Sequence, residues 1–243
     1  MVRLIQLYLL GLTSEPRKGY SLRLKLHQLT HDWMSSFSGV AWAWSKRLEN
    51  INVVTNWDSV LYLNKENEKA PSEIYYGEGT EEVSWGYGIP LEAESLKWFK
   101  LLLVDEGDLQ EDVRKSKQIK RAREMLANHR KTAVEVVADY LRLLWKHVIK
   151  TIERERGSNS ASRLPFRVVL TVPAIWPHNA QQRMWEAASK AGILDPRTCG
   201  ETTLRLVPEP EAAALASLSE FRDREDVQEC LSFRNNVLLT NPY

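Results

Sequence analysis

The stretch VVLTV at Val168–Val172, followed by Pro173, is the strongest indication of the fold class of this chain. A short run of apolar, mostly β-branched residues is typical of a strand buried on both faces of a parallel sheet. A helical pattern ending at Gly192 follows it, and Thr203–Val207 repeats the strand pattern. Two strands joined through a helix lie parallel with a right-handed crossover. The C-terminal part therefore predicts an α/β fold.

Polar residues predict where the two C-terminal helices begin. Asn179, with Gln182 three positions later, predicts a variant capping box at the start of the first helix. The second helix is alanine-rich and is predicted over 211–219, directly after Pro208-Glu209-Pro210. Glu209 is thereby placed at the carboxyl end of a predicted parallel strand.

The first third of the chain predicts further strands. FSGVAWAW at Phe37–Trp44 alternates large and small side chains, and we expect it to form a hairpin with Ser21–Leu26 through a polar connection. Three more strands are predicted at Ile51–Thr55, Ile74–Tyr76 and Val83–Ile89.

Residues 91–156 predict helical structure. The clearest helix in this segment begins at a capping box formed by Thr132 and Glu135, and it ends at Gly157. The apolar residues of this helix recur at three- and four-residue steps, which predicts one buried face. They are Val134, Val137, Leu141, Leu144, Val148 and Ile152.

Composition excludes several classes of protein. The 243 residues hold 33 Lys and Arg against 32 Asp and Glu, and this balance argues against electrostatic capture of nucleic acid or of an anionic membrane. Two cysteines exclude a disulfide-stapled scaffold. The apolar stretch Leu4–Leu12 is about half the ~20 residues that a membrane span needs. We therefore expect a soluble, cytoplasmic protein that binds neither nucleic acid nor membrane.

Two motifs resemble functional sites but are better explained structurally. HQLTH at 27–31 has the histidine spacing of a zinc-protease helix, yet a glutamine stands where that chemistry needs glutamate. The basic run Arg114–Lys131 lacks interleaved aromatic residues for base stacking, so we expect the solvated face of a helix. The apolar side of that helix is Ile119, Ala122, Met125 and Leu126.

Glu209 is the strongest candidate for a functional residue. Ligands of open α/β sheets gather at the carboxyl ends of the strands, and the prolines on both sides of Glu209 restrict its backbone. A carboxylate there is suited to hold a Mg²⁺-bound water or to orient an attacking one. Alternatively, Glu209 and Glu211 only offset the helix dipole. The residues alone leave both interpretations open.

Several of these segments resemble one protein family. VLTVPA at Val169–Ala174 and VPEPEAAALA at Val207–Ala216, in this order and spacing, resemble the ATPase domain of the heat shock protein 70, or DnaK-like, chaperones, which share the actin-like (ribonuclease H-like) ATPase fold. SGVAWA at Ser38–Ala43, Thr55-Asn56-Trp57, Ile74–Gly77 and WFKLLL at Trp98–Leu103 look like its divergent branch known from filamentous fungi. The resemblance covers about Asp32 to Leu218.

This resemblance implies a cleft that holds ATP and Mg²⁺ between two lobes. By position, Glu209 looks like the glutamate that organises the metal and the attacking water. Lys100 resembles the lysine beside the γ-phosphate. Pro173 resembles the proline of a switch that relays the nucleotide state to the rest of the chaperone.

The resemblance also implies a first phosphate loop at Asp32-Trp33-Met34-Ser35-Ser36. Asp32, Ser35 and Ser36 are then nucleotide-binding residues, and Asp32 contacts the metal through water. Met34 stands where the family has glycine, and the family's second phosphate loop, an aspartate followed by three glycines, does not occur in the sequence. We therefore expect impaired hydrolysis.

The expected organisation is an atypical segment over 1–30, a partial ATPase domain over 31–218 with a small inserted subdomain at about 57–130, and an irregular tail over 219–243. We expect the first lobe of the fold only, in a truncated form that binds ATP or ADP. The alternatives are a non-catalytic interaction module, which binds other proteins through the exposed face of the lobe, and a truncated gene product.

Overall fold

The structure is a computed structural model that describes most of the chain. The described residues are 3–8, 37–45, 47–60, 67–77, 83–157, 161, 164–198 and 200–220. Its strands are β1 Arg3–Tyr8, β2 Phe37–Trp44, β3 Arg47–Val53, β4 Lys69–Pro71, β5 Ile74–Tyr75, β6 Ser84–Trp85, β7 Phe166–Val172 and β8 Thr203–Pro208. Its α-helices are α1 Glu111–Arg114, α2 Lys117–Asn128, α3 Ala133–Arg156, α4 His178–Lys190 and α5 Glu209–Glu220. Short 3₁₀ helices cover Gly86–Gly88, Phe99–Leu103 and Glu106–Asp108.

One mixed sheet organises the described part of the chain. Its strand order is β3-β2-β1-β7-β8, and β4 adds to β2. β7 and β8 are parallel with α4 between them, which confirms the α/β prediction made from the VVLTV stretch. In their register Val172 lies opposite Pro208, so the residues that follow the two strands, Pro173 and Glu209, leave the same edge of the sheet.

The centre of the sheet is β1, whose role the sequence patterns did not predict. β1 pairs antiparallel with β2 on one side and parallel with β7 on the other. The opposite edge of β2 pairs with β3 and β4. At residues 41–44, both edges of β2 are hydrogen-bonded, one to β1 and the other to β3. The predicted hairpin of β2 with Ser21–Leu26 is therefore wrong for that part of β2. Ser21–Leu26 itself lies outside the described residues, as does HQLTH at 27–31.

The remaining strands differ in their bounds from the predicted ones. The strand predicted at Ile51–Thr55 overlaps β3 only at residues 51–53, and β5 and β6 form a separate antiparallel pair. The segment predicted as a strand over Val83–Ile89 turns into a 3₁₀ helix after two residues, because Gly86 takes a left-handed φ of 54°. Glycine adopts that conformation without steric cost.

α3 forms as its sequence predicts. The Thr132 hydroxyl accepts the Glu135 backbone N–H, and the Glu135 carboxylate accepts the Thr132 backbone N–H, which completes the capping box. Gly157, with a φ of 96°, ends the helix. The predicted face is buried apart from Val134, which is only partly covered.

The predicted cap of α4 is wrong. The N-cap is Pro177, and no side chain caps the helix. Asn179 lies two residues inside, where its amide instead donates to the Asp105 carboxylate. Pro177 has an extended backbone, with φ −65° and ψ 161°, and the helix begins two residues earlier than the capping pattern predicts.

α2 carries the basic run, and its structure matches the prediction of a solvated face. Ile119, Ala122 and Met125 are buried against the core. On the outer face, Arg121 pairs with Glu94 at 2.6 Å and with Glu124 at 3.1 Å. Within the residues described, no helix is long and apolar enough to cross a membrane.

Candidate functional site

The structure brings Lys100 and Glu209 together across 109 positions of sequence. The Lys100 Nζ donates to the Glu209 Oε1 at 3.0 Å. The Lys100 side chain is only 9% exposed, whereas that of Glu209 is 24% exposed. The pair therefore joins a buried ammonium group to a carboxylate that is partly accessible to solvent.

Lys100 reaches this position on a tight turn rather than an α-helix. Phe99–Leu103 forms a 3₁₀ helix, and the preceding Trp98 takes a left-handed conformation with φ 64° and ψ 6°. A left-handed residue other than glycine costs about 1–2 kcal/mol. Phe99 and Leu103 are buried on either side of Lys100, and their burial supports the strained turn.

Burial dominates the electrostatics of Lys100. Removal from water lowers the pKa of this ammonium group, and the charge and hydrogen bond of Glu209 act in the opposite direction. The Trp176 ring lies 5.5 Å from the Lys100 Nζ, within range of a cation–π contact. Lys100 is thus a cation held between a carboxylate and an aromatic face.

Glu209 lies at the junction of β8 and α5. It is the first residue of α5, so its carboxylate offsets the helix dipole and at the same time pairs with Lys100. Both interpretations from the sequence are compatible with this position. Glu211 also lies in the first turn but is exposed.

Pro173 shapes the other side of the site. It follows β7, and its carbonyl accepts the Trp176 backbone N–H at 3.1 Å. This turn brings Trp176, which is 5% exposed, against Lys100. The structure therefore gathers three of the predicted site residues, Lys100, Glu209 and Pro173, around one edge of the sheet.

The sequence patterns missed a set of contacts behind Lys100. Arg183 of α4 donates to the Leu103 carbonyl at 2.7 Å and pairs with the Asp105 carboxylate at 2.7 Å. Asn179 donates to the other oxygen of Asp105. No signal in the sequence links Arg183 to Asp105, because 78 positions separate them.

The remaining predicted site residues, Asp32, Ser35 and Ser36, lie outside the described residues, so their roles remain predictions. In the part of the chain that the structure describes, no group of three or more His, Cys, Asp or Glu side chains could hold a metal ion. Among the described residues, Glu209 supplies the carboxylate that contacts Lys100. A single carboxylate fits Mg²⁺, which keeps several waters and binds through one or two carboxylates plus phosphates.

Comparison with known proteins supports a relationship to heat shock proteins. The chain is 31% identical over 196 residues to heat shock 70 kDa protein 12A of Mus musculus, and 30% identical over the same length to the protein of that name in Homo sapiens. Each alignment covers 76% of this chain but 27% of the relative.

A shorter match, 39% identical over 83 residues, relates the chain to human heat shock 70 kDa protein 12B and covers 34% of this chain and 12% of that protein. No protein-family profile matches the chain. The chain spans about a quarter of the length of the two 12A proteins. Over three quarters of its own length, this mixed α/β chain is therefore similar to heat shock 70 kDa protein 12A, which supports the resemblance to the heat shock protein 70 family.

Proposed function

We propose that this chain is the nucleotide-binding part of a DnaK-like protein with an actin-like ATPase fold, and that it binds Mg²⁺-ATP. The observation that carries the proposal is the Lys100–Glu209 ion pair at the end of β8. The similarity to heat shock 70 kDa protein 12A supports the family, and assignment to the fungal-type branch belongs to the same proposal.

The position of the pair suits a nucleotide. Pro173 and Glu209 follow paired positions at the carboxyl ends of two parallel strands, where ligands of α/β sheets bind. The sheet order, with β1 between an antiparallel and a parallel neighbour, is compatible with the first lobe of the actin-like fold.

The charges of the pair also match Mg²⁺-ATP. The ligand carries anionic phosphate oxygens, which match the Lys100 ammonium, and a divalent cation, which matches the Glu209 carboxylate. When bound, Mg²⁺ would neutralise phosphate charge and orient water. Lys100 and Glu209 would exchange their contact with each other for contacts with the ligand.

In this proposal the DWMSS segment at 32–36 supplies the first phosphate loop. Asp32 contacts the metal through water, and Ser35 and Ser36 donate to phosphate. Met34 stands where the resembled family has glycine, which is suited to close approach of backbone N–H groups to phosphate. We therefore propose that the chain binds Mg²⁺-ATP but hydrolyses it slowly. Binding and hydrolysis are accordingly measured in separate experiments.

Isothermal titration calorimetry with Mg²⁺-ATP tests the proposal. We expect binding by the native chain and its loss in Lys100→Met and Glu209→Gln. Two neighbouring residues provide matched controls. Lys97→Met alters an exposed lysine paired with Glu73 at 3.0 Å, and Glu211→Gln alters an exposed acid in the same helical turn as Glu209. Native protein that gives no heat of binding refutes the proposal.

A second candidate function, as an interaction module, is favoured by one observation. α5 is alanine-rich, yet among Glu209–Ala216 only Ala212 is buried, and Leu215 is 59% exposed. An exposed apolar helix face favours association with another protein surface. Light scattering during gel filtration tests this candidate. Association that Leu215→Asp abolishes supports it, and a monomer at every concentration contradicts it.

A further inference from the structure

The turn that carries Lys100 is attached to α4 at two points. The Arg183 guanidinium donates to the Leu103 carbonyl and pairs with Asp105, both at 2.7 Å. Leu103 is the last residue of the 3₁₀ helix that contains Lys100, and Asp105 follows two residues later. Asn179, one turn before Arg183, donates to the second oxygen of Asp105.

This turn needs an external support. Hydrogen bonds in a 3₁₀ helix have poorer geometry than those in an α-helix, so long runs are uncommon. The turn also begins at Trp98, whose left-handed backbone is unfavourable for a residue with a side chain. Local interactions alone therefore hold Phe99–Leu103 weakly.

We infer that Arg183 and Asp105 are positioning residues that hold the Lys100 ammonium at the Glu209 edge of the sheet. The inference rests on the proposed function only for the identity of the ligand, Mg²⁺-ATP. The contacts of Arg183 and Asp105 are independent of that proposal. Arg183 acts through the main chain at Leu103 and through Asp105, and it does not touch the Lys100–Glu209 pair in any described contact.

Arg183 and Asp105 are partly exposed, so a positioning role can be distinguished from a contribution to global stability. The Arg183 side chain is 35% exposed and that of Asp105 is 49% exposed. Ion pairs this close to solvent contribute little to global stability. Loss of Arg183 should therefore leave the unfolding midpoint nearly unchanged while the Lys100 side chain becomes more accessible to solvent.

The test measures the acylation profile of Lys100, which is the time course of its modification by an amine-specific reagent at one fixed alkaline pH, followed by peptide mass spectrometry, in native protein and Arg183→Met without nucleotide. In Arg183→Met we expect acylation about tenfold faster, which is the lower end of the effect that loss of supporting contacts has at metal sites. Arg183→Lys should restore part of the native profile. Titration with Mg²⁺-ATP should show a parallel loss of affinity of about tenfold.

Arg142→Met is the matched control. Arg142 likewise joins a carboxylate and a main-chain carbonyl, with Asp139 at 2.6 Å and the Lys190 carbonyl at 2.9 Å, but it makes no described contact with the Lys100 turn. We expect its Lys100 profile to equal the native one. If Arg183→Met unfolds, Asp105→Asn replaces it and should shift the profile in the same direction.

The outcomes distinguish the two proposals. A Lys100 profile that is unchanged in Arg183→Met or in Asp105→Asn, or that changes equally in Arg142→Met, overturns the positioning inference. If native protein does not bind Mg²⁺-ATP but the Lys100 profile shifts only in the Arg183 and Asp105 variants, the nucleotide proposal fails and the positioning inference stands.

Discussion

The Lys100–Glu209 pair should respond asymmetrically to removal of its two partners. At 3.0 Å, opposite unit charges attract by about 5 kcal/mol at an effective dielectric constant of 20, and desolvation offsets most of this gain. Glu209→Gln leaves a buried ammonium without its counter-charge. Breaking a buried pair in this way costs about 3–5 kcal/mol, and access of solvent to the site reduces our expectation to about 2–3 kcal/mol.

Lys100→Met should cost less, about 1 kcal/mol, because the remaining Glu209 carboxylate is partly hydrated and lies at a helix N-terminus. The double variant should therefore be more stable than Glu209→Gln alone, by about 1–2 kcal/mol. Urea unfolding followed by tryptophan fluorescence at pH 7 measures the cycle. Lys97→Met, which alters an exposed pair, should change stability by less than about 0.5 kcal/mol.

The pH dependence gives an independent check. Burial lowers the pKa of Lys100, so the unfolded chain binds this proton more tightly than the folded chain. Stability therefore rises with pH between the folded pKa and the ordinary lysine value of about 10.4, and the total rise should be larger and begin at a lower pH in Glu209→Gln. In the mutant cycle, a double variant that is less stable than Glu209→Gln would show that the unpaired Lys100 ammonium is not the cause of the loss.

Three further predictions concern stability. His147 stacks on Trp57 with 5.2 Å between ring centroids, and burial lowers the pKa of its imidazole. The free energy of unfolding should therefore fall as the pH drops below about 6.5. His147→Phe should reduce this pH dependence, as measured by urea unfolding at pH 5 and at pH 7.5. Thr132→Ala should lower the free energy of unfolding by about 1 kcal/mol, whereas Thr132→Ser should retain the bond to the Glu135 N–H; an equal loss in both contradicts the capping role. Gly192→Ala should cost about 1–2 kcal/mol by thermal unfolding, because φ is 80° there; an unchanged midpoint would exclude left-handed strain.

Local structure was largely predictable where one segment encodes its own conformation. The apolar run before Pro173, the helix that follows and the next strand predicted β7, α4 and β8 as parallel strands with a helix between them. The capping box of α3 needs only Thr132 and Glu135, three residues apart. The start of α4 was mispredicted at Asn179, because a side chain able to cap can instead bind another loop.

Patterns along the chain predicted the α/β class and the main helices, and the resemblance to the heat shock protein 70 family implied the candidate roles of Lys100, Glu209 and Pro173. Three features are visible only in the folded chain: the central position of β1, the contact of Lys100 with Glu209 at 3.0 Å, and the hydrogen bond from Arg183 to the Leu103 carbonyl. Periodicity and capping report contacts within a few residues. Contacts across about 80 to 110 positions depend on strand order and register, which short patterns do not encode.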